Sequence, residues 1–99
     1  VTDERQVIDM ANEKKEEKVK QILEIVDMML NDTAMPKNIR TAVENAKTKL
    51  NEPGEPDVRV GGAIYCLNEV SEDINLSAHA RTQIWSILSA LEIVKEIQG

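Results

Sequence analysis

From Val19 onward, apolar residues return every three or four positions. In VKQILEIVDMML, the residues Val19, Ile22, Leu23, Ile25, Val26, Met29 and Leu30 fall within one half of a helical wheel, with Lys20, Glu24, Asp27 and Asn31 opposite. That period places the apolar side chains on one face and predicts an amphipathic helix. Pro36 stands where a first helical residue tolerates a missing N–H. Ile39, Ala42, Val43, Ala46 and Leu50 then form a narrower stripe that ends at Asn51, Pro53 and Gly54. Pro56 opens a third helix, in which Val60, Ala63, Ile64, Leu67 and Val70 share a face up to Ser71. A fourth, capped by Ser77 or Asn75, carries Ala80, Ile84, Ile87, Leu88, Ala90, Leu91, Val94 and Ile97 over about half its wheel, which predicts the most buried element. Residues 1–18 hold Val7, Ile8 and Met10 among many charges. They are expected to form a polar N-terminal extension, a frayed helix or disordered, ahead of a single helical domain over residues 19–99. Met10 is an alternative start, which would leave the first nine residues peripheral to the fold.

The chain also repeats itself. NDTAMPKNIRT (Asn31 to Thr41) and EDINLSAHART (Glu72 to Thr82) lie 41 residues apart. At this offset Leu23 aligns with Ile64, Val26 with Leu67, Asp32 with Asp73, Met35 with Leu76, Arg40 with Arg81 and Val43 with Ile84. The repeated unit is a helical hairpin. Its period falls in the range of HEAT and armadillo units, and EPDVRVGGA (Glu55 to Ala63) resembles the Val-Arg-x-x-Ala opening of a HEAT inner helix. A solenoid needs about three repeats or more to bury a continuous core. Two hairpins do better folded against each other. The expected fold is therefore all-α, a compact four-helix bundle built from two similar hairpins. In it, Met35 and Leu76 plug the core between consecutive helices. Asp32 and Asp73 accept hydrogen bonds from loop amides or pair with Arg40 and Arg81. The competing reading of these four polar residues is an aspartate/arginine binding site.

Composition sharpens this picture. With 41% hydrophobic residues but no Phe, one Trp and one Tyr, the core must be aliphatic. Ninety-nine residues suffice for one such core. The single cysteine, Cys66, excludes an internal disulfide and leaves no zinc-type spacing, so no metal or other cofactor is expected. The reducing cytoplasm is the expected location, with no membrane partner, because no run approaches the length of a span. The net charge of -6 speaks against a dedicated nucleic-acid binder. Residues 33–50 nevertheless hold four bases (Lys37, Arg40, Lys47, Lys49) against one acid (Glu44), a sign opposite to the segments on either side.

Once assembled, VKQILEIVDMMLNDTAMPKNIRTAVENAKTKLNEPGEPDVRVGGAIYCLNEVSEDINLSAHARTQIWSILSALE resembles a serial-numbered, uncharacterised family of small archaeal all-helical proteins. LNDTAMPKNIR, DVR and ARTQIWSILSALE carry the match. The resemblance implies a helical bundle of this size and assigns no activity.

Candidate chemistry is sparse. His79 is the only histidine; with Asp73 and Arg81 nearby in sequence it is the one acid/base candidate, and no Ser, Cys or second ligand recurs at a useful spacing. Cys66 reads as a partly buried structural residue. Gly61 and Gly62 fall inside the third helix, where they are expected to mark the closest helix crossing. Trp85 points about 60° outside the apolar arc of its helix, so either the chain's own extension or a loop covers it, or a partner does. These features favour a non-catalytic protein-interaction module, not an enzyme, that self-associates or docks on a larger assembly. Its expected surface is Trp85, Ile93 and Ile97, with Lys37, Lys47 or Lys49 of one copy near Glu92 or Glu96 of another in a two-fold homo-oligomer. Two alternatives stay open: RNA or nucleoprotein binding through the basic second helix, and an enzyme using Asp73, His79 and Arg81.

Overall fold

Four amphipathic stripes need one another for cover. The computed structural model joins them as α1 (Glu4–Leu30), α2 (Lys37–Asn51), α3 (Pro56–Asn68) and α4 (Ala78–Glu96). It describes the backbone of residues 4–97 and the side chains of residues 10–97, so the first nine side chains, Val7 and Ile8 included, lie outside the described residues. Each helix packs on the next, and α4 returns to pack on α1. The α1 and α3 helices also approach across the core, whereas α2 and α4, on the other diagonal, keep their backbones farther apart. The result is an up-and-down all-α bundle. Val26, Met29, Ile39, Val43, Leu50, Val60, Leu67, Ile84, Ile87, Leu91 and Val94 are sealed inside it.

The two repeated connections sit at the same end and are built alike. The Asp32 carboxylate accepts a hydrogen bond from the Ala34 amide at 2.9 Å, and that of Asp73 accepts one from the Asn75 amide at 2.8 Å. Asp32 and Asp73 donate their own amides to Met29 and Val70, the residues matched by the 41-residue offset. Met35 and Leu76 are both buried and donate their amides back to Asp32 and Asp73. Arg40 and Arg81 each reach back to a backbone carbonyl, not to the aspartate side chain. Arg40 donates to Leu30 at 2.6 Å and to Asp32; Arg81 donates to Asp73 at 3.4 Å. The two turns also touch: the Asn38 side-chain amide donates to the second Asp73 carboxylate oxygen at 2.7 Å.

Differences from the expected organisation have local causes. No boundary appears near residue 18, because α1 is one continuous helix through it. Ala11 and Lys15 continue the apolar stripe one helical turn at a time from Val19, and both are buried. Lys15 packs its stem inward and carries its ammonium to Asp57, 3.0 Å away in the first turn of α3. Beside it, Arg59 pairs with Glu16 and donates to the Leu50 carbonyl at 3.0 Å, joining α1, α2 and α3 at the far end of the bundle. At 27 residues, α1 is about 40 Å long, twice the length of the 13-residue α3, and the molecule is drawn out to 53 × 20 × 19 Å.

The glycine expectation divides. Gly62 does lie against α2, where an added Cβ would stand 3.1 Å from Lys49 Cδ. Gly61 does not mark a crossing: turned about 100° away on the same helix, it faces open space with nothing within 4 Å. Ser77, of the two candidate caps, is the one used, and its hydroxyl accepts the Ala80 amide at 3.1 Å.

Two stability effects are expected from this arrangement. Arg59→Met strands the Leu50 carbonyl and should cost about 2 kcal/mol in chemical denaturation, whereas Glu16→Gln, which removes only the half-exposed ion pair, should cost under ~1 kcal/mol. Equal costs would show that the ion pair, not the helix-end contact, matters. Gly61→Ala should stabilise the fold by about 0.5–1 kcal/mol, since nothing obstructs the methyl and the unfolded chain loses freedom. A measured loss would show that this face is covered.

Candidate interaction surface

The buried face of α4 uses Ala80, Ile84, Ile87, Leu88, Leu91 and Val94. Trp85 and Ile93 belong to a second stripe on the same helix, four residues to either side of Ser89. A shallow groove runs along this stripe, lined by Arg81, Thr82, Trp85, Ser86, Ser89, Ala90 and Ile93. Trp85 keeps 47% of its surface exposed and Ile93 52%, so neither the N-terminal extension nor a loop covers them among the described residues. A neighbouring hollow between α1 and α4 is lined by Lys18, Gln21, Ile22, Ile25, Ala90 and Ile93. Through Ile93, the apolar surface therefore continues onto α1, where Ile25 is 38% exposed and Met28, one turn on, is 70% exposed.

Charge frames this face. Arg81 stands at one end of the stripe, and Glu92 and Glu96 stand exposed at the other. Ile97 is half-buried just past the end of α4. The lysines expected to share the surface do not. Lys37, Lys47 and Lys49 are on α2, the helix diagonal to α4, and a contact centred on Trp85 leaves them on the far side of each copy. Lys47 is instead paired within the chain, its ammonium 2.7 Å from the Asp27 carboxylate of α1. Lys49 lies 3.6 Å from Glu52, with its stem over Gly62. Arg40 is half-buried against its carbonyl partners, whereas Lys37 and Lys49 are both exposed to solvent.

The acid/base candidates are drawn into the turn as well. Both Asp73 carboxylate oxygens accept hydrogen bonds, from the Asn75 amide and from Asn38, and Arg81 reaches the Asp73 carbonyl. His79 is exposed on the first turn of α4. Cys66 is partly buried against the core.

Ile25 and Met28 are the surface residues that the sequence pattern did not single out. Ile25 lies at the edge of the apolar half of its wheel and reads as core. Met28 lies beyond that edge, and its exposure depends on where α4 stops covering α1. No described helix is long and apolar enough to cross a membrane.

Comparison with known proteins agrees with this architecture. Residues 5–94 match the model of the uncharacterised protein family UPF0147, so the match takes in most of the N-terminal extension. A UPF0147 protein of Methanocaldococcus jannaschii is 51% identical over 81 residues, covering 81% of this chain and 87% of that protein. One from Pyrococcus horikoshii is 44% identical over 93 residues, covering 92% and 98%. The crystal structure of the unknown-function protein MMP1188 superimposes with a TM-score of 0.72 at 47% identity, covering 76% of this chain and 86% of that one. On the length of the family match and the identity of these relatives, the chain belongs to the uncharacterised protein family UPF0147.

Proposed function

We propose that the chain is a non-catalytic helical interaction module that associates with a second copy of itself through the outer face of α4 and the adjoining edge of α1. The observation that carries this reading is the second apolar stripe of α4, with Trp85 and Ile93 outside the core and Ile25 beside them. Tryptophan is costly to leave half in water and is enriched where interfaces concentrate their binding energy. Isolated exposed apolar residues are ordinary, but Trp85, Ile93 and Ile25 lining adjoining grooves support a docking role for this face.

Charge favours a second copy as the occupant. The face carries a cation, Arg81, at one end and two anions, Glu92 and Glu96, at the other. A two-fold axis across α4 sets each end against its opposite, which makes the face complementary to itself. The chain's excess of acid, -6 in total, works against an anionic polymer as occupant. Engagement of Arg40, Lys47 and Lys49 within the chain reduces what α2 could offer nucleic acid. Asp73 is likewise committed to its turn, which supports a structural role for it, while Arg81 makes one exposed contact of 3.4 Å to the carbonyl behind it and keeps donors turned to solvent.

Sedimentation over a range of concentrations tests the reading. The wild type should shift from monomer to dimer as concentration rises, and Trp85→Ala should remain monomeric over the same range while keeping its helical circular dichroism. A wild type that is monomeric throughout, or a dimer unaffected by Trp85→Ala, would refute it.

A further inference from the structure

The outer stripe of α4 is ordered symmetrically about one small residue. Four residues before Ser89 is Trp85 and four after it is Ile93, each about 6 Å away along the axis and about 40° to opposite sides of the Ser89 direction. Seven before is Thr82 and seven after is Glu96, each about 20° from that direction. Arg81 precedes Thr82 on the same flank as Glu92 and Glu96. All of these except the two glutamates line the groove, and both glutamates are exposed. The buried stripe of the same helix has no such arrangement, with Ile87, Leu88 and Leu91 crowded at its centre.

We infer that two copies pair α4 against α4 in antiparallel fashion with the two-fold axis at Ser89. This inference rests on the proposed self-association and adds its register. In that register, Trp85 of each copy lies in the same layer as Ile93 of the other. Being on opposite flanks, the two side chains interdigitate instead of colliding, as apolar layers do between antiparallel helices. Ser89 lies opposite Ser89 of the second copy, where a small side chain lets the helices approach to the 8–10 Å typical of packed pairs. Arg81 of each copy then meets Glu96 of the other, twice by symmetry. Ile25, across the hollow that Ile93 also lines, widens the apolar centre. A one-turn shift one way sets Trp85 against Ser89 and Arg81 beside Ile93, and a shift the other way sets Trp85 against Ile97 and carries Arg81 beyond Glu96, so either shift loses the Trp85–Ile93 layer and the Arg81–Glu96 pairs.

Two measurements on the full chain test the register. Ser89→Cys should give a disulfide-linked dimer under mild oxidation, because facing small residues on closely packed helices come within the Cα separation of roughly 4.4–6.8 Å that the bond requires. Thr82→Cys, about 20 Å from its symmetry mate, and the wild type with only Cys66 should stay unlinked. In sedimentation, Arg81→Glu should weaken dimerisation several-fold, and adding Glu96→Arg in the same chain should recover most of that loss. A purely structural role for Arg81 at its turn predicts no such recovery. If the wild type dimerises but Ser89→Cys does not link and the double charge reversal is weaker than either single one, the register is overturned while self-association stands. A wild type that never dimerises overturns both.

Discussion

An α-helix ends with carbonyls that have no donor of their own, and in this chain an arginine from the following helix supplies one at the ends of α1 and α2 and reaches the turn after α3 in the same way. Arg40 donates to the Leu30 carbonyl at the end of α1, Arg59 to the Leu50 carbonyl at the end of α2, and Arg81 to the Asp73 carbonyl in the turn that leaves α3. The usual device, a left-handed glycine after the last turn, is not used at these ends. Gly54 is the one residue with positive φ among those described, at 125°. A guanidinium is suited to the task because it is always charged and presents several donors in a fixed plane. The first two contacts join the start of one helix to the end of the one before it, and the third joins the start of α4 to the turn that precedes it, so each fixes a hairpin instead of only closing a helix.

That constraint shapes the surface as well as the core. At one end of the bundle, Arg59 also holds Glu16, which, with Lys15 and Asp57, ties the long first helix past its shorter neighbours. Arg40 is turned to carbonyls, and Lys47 and Lys49 are paired with Asp27 and Glu52, so part of the positive charge around α2 is met within its own molecule. The outer stripe of α4 carries Arg81, an apolar centre, then Glu92 and Glu96 in order along the helix, with the exposed Lys95 turned to the side of it. The apolar residues of that helix are therefore divided between two stripes, one buried in the core and one, with Trp85 and Ile93, half exposed.

Much of this was legible in the sequence, for physical reasons. The period of the apolar residues requires four helices, and the 41-residue echo requires two turns of the same design. The wheel angle of Trp85 already set it apart from Ile84, Ile87 and Leu88. Three features were not legible. The first half of α1 reads as solvated because a lysine interrupts its stripe, and only the position of Asp57 shows that Lys15 packs inward. The two adjacent glycines look equivalent in sequence, yet they face different surroundings because a helix turns about 100° between them. The lysines of α2 looked available for a partner because pairing with Asp27 depends on which helices are neighbours and which are diagonal, a property of the assembled bundle.

In the proposed dimer the outer stripe of α4 meets the same stripe of another chain. Isotope-filtered NMR on a mixture of labelled and unlabelled chains reads this contact directly, since it records nuclear Overhauser effects only between different molecules. Pairing through this stripe should give intermolecular contacts from the Trp85 indole to the Ile93 methyl groups, with Ile25 methyls at the margin. Intermolecular contacts confined to other surfaces, such as Val58 and Tyr65 of α3, which are also exposed, would contradict it.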